Sequence, residues 1–168
     1  MGFFAKFTLS AAKGPTPDSF EKRASYLLIA RLRKPACIRI GAKGSFGFPA
    51  GWYVYAGSAQ RGLRARVERH LRSKKKMRWH IDYLLRRATV REVLAFTDLG
   101  WWHRISSCAW DTVPTECDLA AMMLSRGGRI TVPRFGSSDC LCPSHLTYFQ
   151  HRPRLEMGFF IRRPADSE

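Results

Sequence analysis

The stretch GWYVYAGSAQRGLRARVERHL, residues 51–71, constrains the fold more than any other. Gly51 to Ala56 is rich in aromatic and β-branched residues, which suit a pleated, half-buried strand. After Gly57 the apolar spacing becomes helical: Leu63, Val67 and Leu71 fall at i, i+4 and i+8, and Arg dominates the rest. A strand that feeds directly into an amphipathic helix belongs to a mixed α/β domain, with Gly57 expected as the turn between them. That turn is not a phosphate cradle. A P-loop needs G-x-x-x-x-G-K-S/T and a dinucleotide turn needs G-x-G-x-x-G, and Gly57 to Gly62 supply neither.

The other elements build on this unit. Tyr26 to Leu32 reads as a buried strand and Cys37 to Ile40 as a second, with the glycines of GAKGSFGFPAG turning the chain before the third. Short Gly-rich links between three strands predict an antiparallel meander or hairpin, not a crossover sheet. A second helix is expected from about Arg78 to Ala88, with Met77, Ile81, Leu84, Leu85 and Ala88 on one face, and Val90 to Phe96 as a further strand. Thr115 is an N-cap candidate with Asp118 three residues on; Leu119, Met122 and Met123 form the apolar face of that helix, and Gly127-Gly128 ends it. The expected fold class is α/β (α+β): a small, mainly antiparallel sheet flanked by helices. A length of 168 residues suits one domain, placed at 24–151. Residues 1–23 read as a loosely attached arm and 152–168 as a poorly packed tail. No apolar run reaches the ~20 residues of a membrane span. Lys6 interrupts the apolar start, which argues against export, and five Cys without disulfide density fit a reducing cytoplasm.

Charge narrows the partner. Lys and Arg number 29 against 13 Asp and Glu, a formal +16, which predicts attraction to a polyanion such as nucleic acid. Lys74-Lys75-Lys76, Arg78, Arg86 and Arg64 are candidate contacts to backbone phosphates, which hold a nucleic acid without reading its sequence. Trp101-Trp102 can stack on bases or cap the core.

Several blocks together resemble the GIY-YIG nuclease superfamily. Ala24-Ser25-Tyr26 stands where that family has Gly-Ile-Tyr, Tyr55-Ala56-Gly57 stands for Tyr-Ile-Gly, and Arg66-Val67-Glu68-Arg69-His70 is similar to its R-x-x-R-H helix segment. GWYVYAGSA, WHIDYLL, TECDLA and FGSSDCLCPSHL are similar to one small branch of uncharacterised function, carried alone or fused to endonuclease III-type DNA-repair glycosylases. Ala24-Ser25 lacks the family's first glycine and Ala56 replaces its Ile, but neither position supplies a catalytic side chain. The resemblance implies an endonuclease dependent on Mg²⁺ or Mn²⁺ that acts on structured or damaged DNA in repair or processing. It implies Tyr26 as general base, Tyr55 as the group positioning water or phosphate, and Glu116 as the acidic residue. The alternative is a nucleic-acid-binding module that keeps the scaffold without turnover.

The residue types suit that chemistry. Phosphodiester hydrolysis needs activated water, charge neutralisation on the phosphoryl oxygens and help for the leaving oxygen, and a metal ion covers much of this. Mg²⁺ keeps most of its waters, so one carboxylate can suffice. Glu116 opens its helix in line with the buried face; its bland reading is stabilisation of the helix N-terminus, worth about 0.3–1 kcal/mol. Arg66 lies at the edge of the Leu63/Val67/Leu71 stripe, where a guanidinium can clamp phosphate, and His70 lies one turn further on for proton transfer. Tyr53 shares the face of Tyr55 and is a candidate for the same wall. The cluster Cys140-x-Cys142-x-x-His145, with Cys117, offers thiolate and imidazole ligands for a structural zinc. Its spacing is tighter than usual for zinc modules, so packing of this loop beside the site, with Ser137, Ser138, Asp139 and His145 at the rim, is the preferred expectation.

Overall fold

A computed structural model describes residues 8–9, 24–60, 62–97, 113–155 and 159–162. Its elements are β1 (Thr8–Leu9), β2 (Ala24–Leu32), β3 (Ala36–Arg39), β4 (Ser45–Phe48), β5 (Gly51–Ala59), α1 (Leu63–Leu71), α2 (His80–Leu84), β6 (Thr89–Thr97), α3 (Glu116–Ser125), β7 (Leu146–Phe149) and β8 (Phe159–Arg162). A strand buried on both faces must be apolar at nearly every position, and β2 meets that demand. Tyr26, Leu28, Ala30 and Leu32 join one core with Leu63, Val67, Ile81 and Leu84 of α1 and α2. Leu27 and Ile29 join a second core with Leu119, Ala120 and Met123 of α3. The sheet therefore lies between α1 and α2 on one side and α3 on the other. The expected α+β class is what the chain adopts.

All pairings are antiparallel, in the order β1-β8-β6-β2-β5-β7. β2 pairs along its full length with β5, from Ala24 opposite Ala59 to Leu32 opposite Gly51. Of the meander or hairpin expected, a hairpin forms. β3 pairs with β4 in a separate two-stranded sheet, so β2 and β5 meet around this excursion. β4 occupies part of the segment expected to be all turn, which is confined to a 3-10 turn at Gly41–Lys43 followed by Gly44 at φ 106°. α2 is also shorter than the apolar spacing suggests, ending at Leu84 where the N–H groups of Arg87 and Ala88 both bond the Leu84 carbonyl.

α3 begins where the cap predicts. Thr115 Oγ1 accepts from the Asp118 N–H at 3.2 Å, and the Asp118 carboxylate accepts from the Thr115 N–H at 2.9 Å. Such a box contributes about 1 kcal/mol and fixes the first turn on which Glu116 sits. The chain ends depart from the expected arm and tail. Thr8–Leu9 pairs with β8, and β8 itself fills an inner place between β1 and β6; its Phe-Phe-Ile sequence suits a strand. The rest of the arm, and Trp101-Trp102, lie outside the described residues. Among the described residues no helix is long and apolar enough to cross a membrane.

Candidate functional site

Gly57 is not the turn. β5 runs on through Gly57 and Ser58 to Ala59, and Gly62, at φ 100°, stands ahead of α1. Gly57 stands opposite Tyr26 in the β2–β5 register. A Cβ at position 57 would lie 2.5 Å from the Tyr26 hydroxyl and 2.6 Å from ring Cζ. The missing side chain is therefore the space that the Tyr26 phenol fills. Lying there, Tyr26 is 1% exposed and its hydroxyl is hydrogen-bonded to His70 Nε2 of α1 at 2.7 Å. Gly136, at φ 71°, gives way to Tyr55 similarly, because a Cβ there would stand 2.9 Å from the Tyr55 ring.

Tyr26, Tyr55, Arg66 and Glu116, from β2, β5, α1 and α3, line one cleft of about 650 Å³ with Ser58, Arg78, Trp79, His80 and Asp139 among its other walls. Ser58 Oγ donates to Glu116 Oε1 at 3.0 Å, which ties the end of β5 to the start of α3. The Arg66 guanidinium lies 4.3 Å from the centre of the Trp79 ring and forms no ion pair among the described residues. Arg69 stacks on Trp79 as well, at 3.8 Å, and its two terminal nitrogens each donate to an Asp82 carboxylate oxygen at 2.9 Å. Burial alone would raise the Asp82 pKa, but Arg69, the backbone N–H groups of Arg78 and Trp79, and Lys75 together hold it at about 2. This buried carboxylate fixes Trp79, and through it the lie of Arg66.

The two phenols and the imidazole are all held neutral. Burial, with the neighbouring Tyr55, raises Tyr26 well above the usual phenol range; Arg66 opposes this and Glu116 adds to it. Burial likewise raises Tyr55 to about 12, again with Arg66 and Glu116 acting in opposite directions. His70 is 3% exposed, and burial, with Lys75, lowers it to about 3. His70 is thus not a cleft residue. It stands behind the cleft wall, bonded to the Tyr26 hydroxyl and packed against the rings of Tyr55 and Trp79, and is not among the residues that line the cleft beside Arg66.

Two other expectations change. The Lys75 side chain is only 8% exposed and donates to the carbonyls of His70 at 2.6 Å and Arg69 at 3.3 Å, so it closes the C-terminal end of α1 in place of reaching out to phosphate. Tyr53 is fully buried and donates to the Pro49 carbonyl at 2.7 Å, away from the cleft. Arg78 is exposed at the cleft, and Lys74, Lys76 and Arg86 are exposed elsewhere. Arg64 is also exposed and pairs with Glu68 at 2.9 Å one turn along the helix. Sequence reasoning missed Ser58 and Trp79. Ser58 alternates with Gly57 to the opposite face of β5, which a turn at Gly57 conceals. Trp79 gave no signal of its own beyond opening the WHIDYLL block.

The cysteine cluster assembles. Cys117, Cys140, Cys142 and His145 present ligand atoms that all lie within 4.8 Å of one another, a set able to hold a metal ion. Its Cys3His chemistry suits zinc better than magnesium. The tight spacing that favoured mere packing does not keep the four ligand atoms, that of Cys117 on α3 among them, from converging. Residues 25–160 match the family model described as Domain of unknown function DUF123. No curated protein and no solved structure matches the chain.

Proposed function

The chain belongs to the DUF123 family, and we propose that it is a GIY-YIG-type endonuclease that hydrolyses DNA phosphodiester bonds with Mg²⁺ or Mn²⁺, in cytoplasmic DNA repair or processing. One observation carries this reading: Tyr26, Tyr55, Arg66 and Glu116, far apart in sequence, line a single cleft in a protein of formal charge +16.

The cleft suits such an ion. Glu116 offers a carboxylate steadied on one oxygen by Ser58, and the exposed Asp139 carboxylate lines the same space, an all-oxygen set of the kind Mg²⁺ takes while keeping its waters. When bound, the ion supplies positive charge for the phosphoryl oxygens and acidifies water. Arg66, in no ion pair among the described residues and propped on Trp79, presents its guanidinium to a phosphate without first having to leave a described carboxylate. Arg78 extends that positive wall along the scissile strand. Tyr26 is a neutral phenol whose orientation is set by His70 behind and by the absence of a side chain at Gly57. Because the Glu116 charge opposes ionisation of both phenols, neutralising it makes the phenolate form less costly to reach, and the phenolate is the form that a base role for Tyr26 requires. Tyr55 can then orient water or a non-bridging oxygen through its hydroxyl.

The test is cleavage of branched, nicked and duplex DNA with and without Mg²⁺, by the wild type and by Arg66→Ala. The reading predicts metal-dependent cleavage, reduced roughly 10²–10³-fold by loss of the guanidinium. Absence of cleavage on every substrate, together with tight salt-sensitive DNA binding, would replace it with a binding module on the same scaffold.

A further inference from the structure

We propose that Cys117, Cys140, Cys142 and His145 form a closed, tetrahedral zinc site whose role is structural: it pins the first turn of α3 to the loop of residues 134–145 and to β5. This site is separate from the carboxylate site of the cleft and stands whether or not the protein cleaves DNA.

The spacing is close to that around a single ion, within a small side-chain adjustment. With zinc–sulfur bonds of about 2.3 Å and zinc–nitrogen bonds of about 2.0–2.1 Å, a tetrahedron sets neighbouring sulfurs about 3.8 Å apart and sulfur from nitrogen about 3.5 Å. His145 Nε2 lies 3.3 Å from Cys140 Sγ and 3.7 Å from Cys117 Sγ, and all four ligand atoms fall within 4.8 Å of one another. All of these cysteines are free thiols. Three sulfurs and an imidazole make a borderline-soft donor set that leaves no fourth position for water, as structural zinc sites do.

The loop is built to present these ligands. Arg134 donates through Nη1 to the carbonyls of both Cys140 and Cys142, and its own N–H bonds the Pro143 carbonyl at 2.6 Å. His145 N–H bonds the Phe135 carbonyl at 2.8 Å, closing the loop on itself. A second observation is independent of these distances. Both cysteines of Cys140-Leu141-Cys142 turn inward, which drives the leucine between them out to 98% exposure. Leaving a leucine in water forfeits the burial an apolar residue ordinarily gains, and a metal bond to both flanking thiols would offset that cost.

The consequence is mechanical. Cys117 follows Glu116 directly, and the His145 carbonyl accepts from the Ala56 N–H at 2.9 Å, between Tyr55 and Gly57. An ion on these ligands therefore joins three elements that wall the cleft.

The test begins with elemental analysis of wild-type protein purified without added metal, then exchange into Co²⁺ and optical spectroscopy. Expected are about one zinc per chain and, with cobalt, the intense visible absorption and thiolate charge-transfer bands of a tetrahedral sulfur-rich site. Cys140→Ser is expected to lose most of the zinc, whereas Glu116→Ala keeps it, which separates this site from the cleft. Zinc-free protein lacking the cobalt spectrum, a disulfide among the three cysteines, or iron in place of zinc would each overturn the proposal. The cobalt spectrum is read on the wild type, so it stays decisive even if Cys140→Ser fails to fold.

Discussion

Replacing Gly57 by Ala is the sharpest probe of how the cleft is built. The new Cβ would sit 2.5 Å from the Tyr26 hydroxyl and 2.6 Å from Cζ, well inside contact distance. The phenol is 1% exposed and bonded to His70, so any swing away from the new Cβ would break that bond and the packing around the ring. Overpacking a filled core costs about 1–3 kcal/mol, and loss of the Tyr26–His70 bond adds about 1 kcal/mol. A total near 2–4 kcal/mol lowers the melting temperature of a protein this size by roughly 4–16 °C. Gly47→Ala is the control, because a Cβ there meets nothing within 4 Å and its backbone needs no left-handed conformation. Thermal and urea unfolding of the three proteins side by side make the comparison. Were Gly57→Ala to match the wild type within about 0.5 kcal/mol, the steric account of this glycine would be refuted.

Tyr26→Phe removes the partner of His70 Nε2; because His70 Nδ1 already lacks one, the imidazole would be left without any hydrogen bond. A cost of about 1–3 kcal/mol in denaturant titration is expected, with activity falling further than stability explains. Protonation of His70 should govern acid sensitivity: its folded pKa of about 3 lies below the unfolded value of 6.5, so the unfolded chain binds the extra proton between those values. The stability it contributes is full above pH 6.5 and declines as pH falls toward 3, by about 2 kcal/mol between pH 6.5 and 5. His70→Asn should flatten that part of the stability–pH curve, and an unchanged slope would contradict burial of a neutral imidazole. Lys74→Ala and Lys75→Ala separate surface charge from structure. The first should reduce the slope of log DNA affinity against log salt by about one with stability unchanged. The second should cost stability, through the exposed end of α1 and the weakened Asp82 network. Equal behaviour of the two would contradict the placement of Lys75.

Features written in neighbouring residues were legible in the sequence. The Thr115–Asp118 box closes over three residues, and the change of period between β5 and α1 is spelled out along one stretch. What stayed hidden depends on residues brought together from afar. A glycine between a strand and a helix reads as a turn by local rules, yet Gly57 answers to a ring on the facing strand. Lys75 sits in a basic run that reads as solvated, and only the end of α1 and the Asp82 carboxylate show why its side chain is buried. Cys117 can be named beside Cys140, Cys142 and His145 from the sequence, but only the fold shows that the four ligand atoms come within 4.8 Å of one another. Tyr26, Tyr55, Arg66 and Glu116 were named from their resemblance to a family, and the fold brings those four to one cleft; the same reading put His70 in the cleft, one turn too far along α1.

The most direct test of the central claim is DNA cleavage by Glu116→Gln beside the wild type across a Mg²⁺ titration. The substitution keeps the side chain's size and an oxygen for Ser58 while removing the charge. The account predicts metal-dependent cleavage by the wild type and a fall of roughly 10²–10³-fold in the variant, with DNA binding retained. Wild-type cleavage that persists without a divalent ion, or that Glu116→Gln leaves intact, would contradict it.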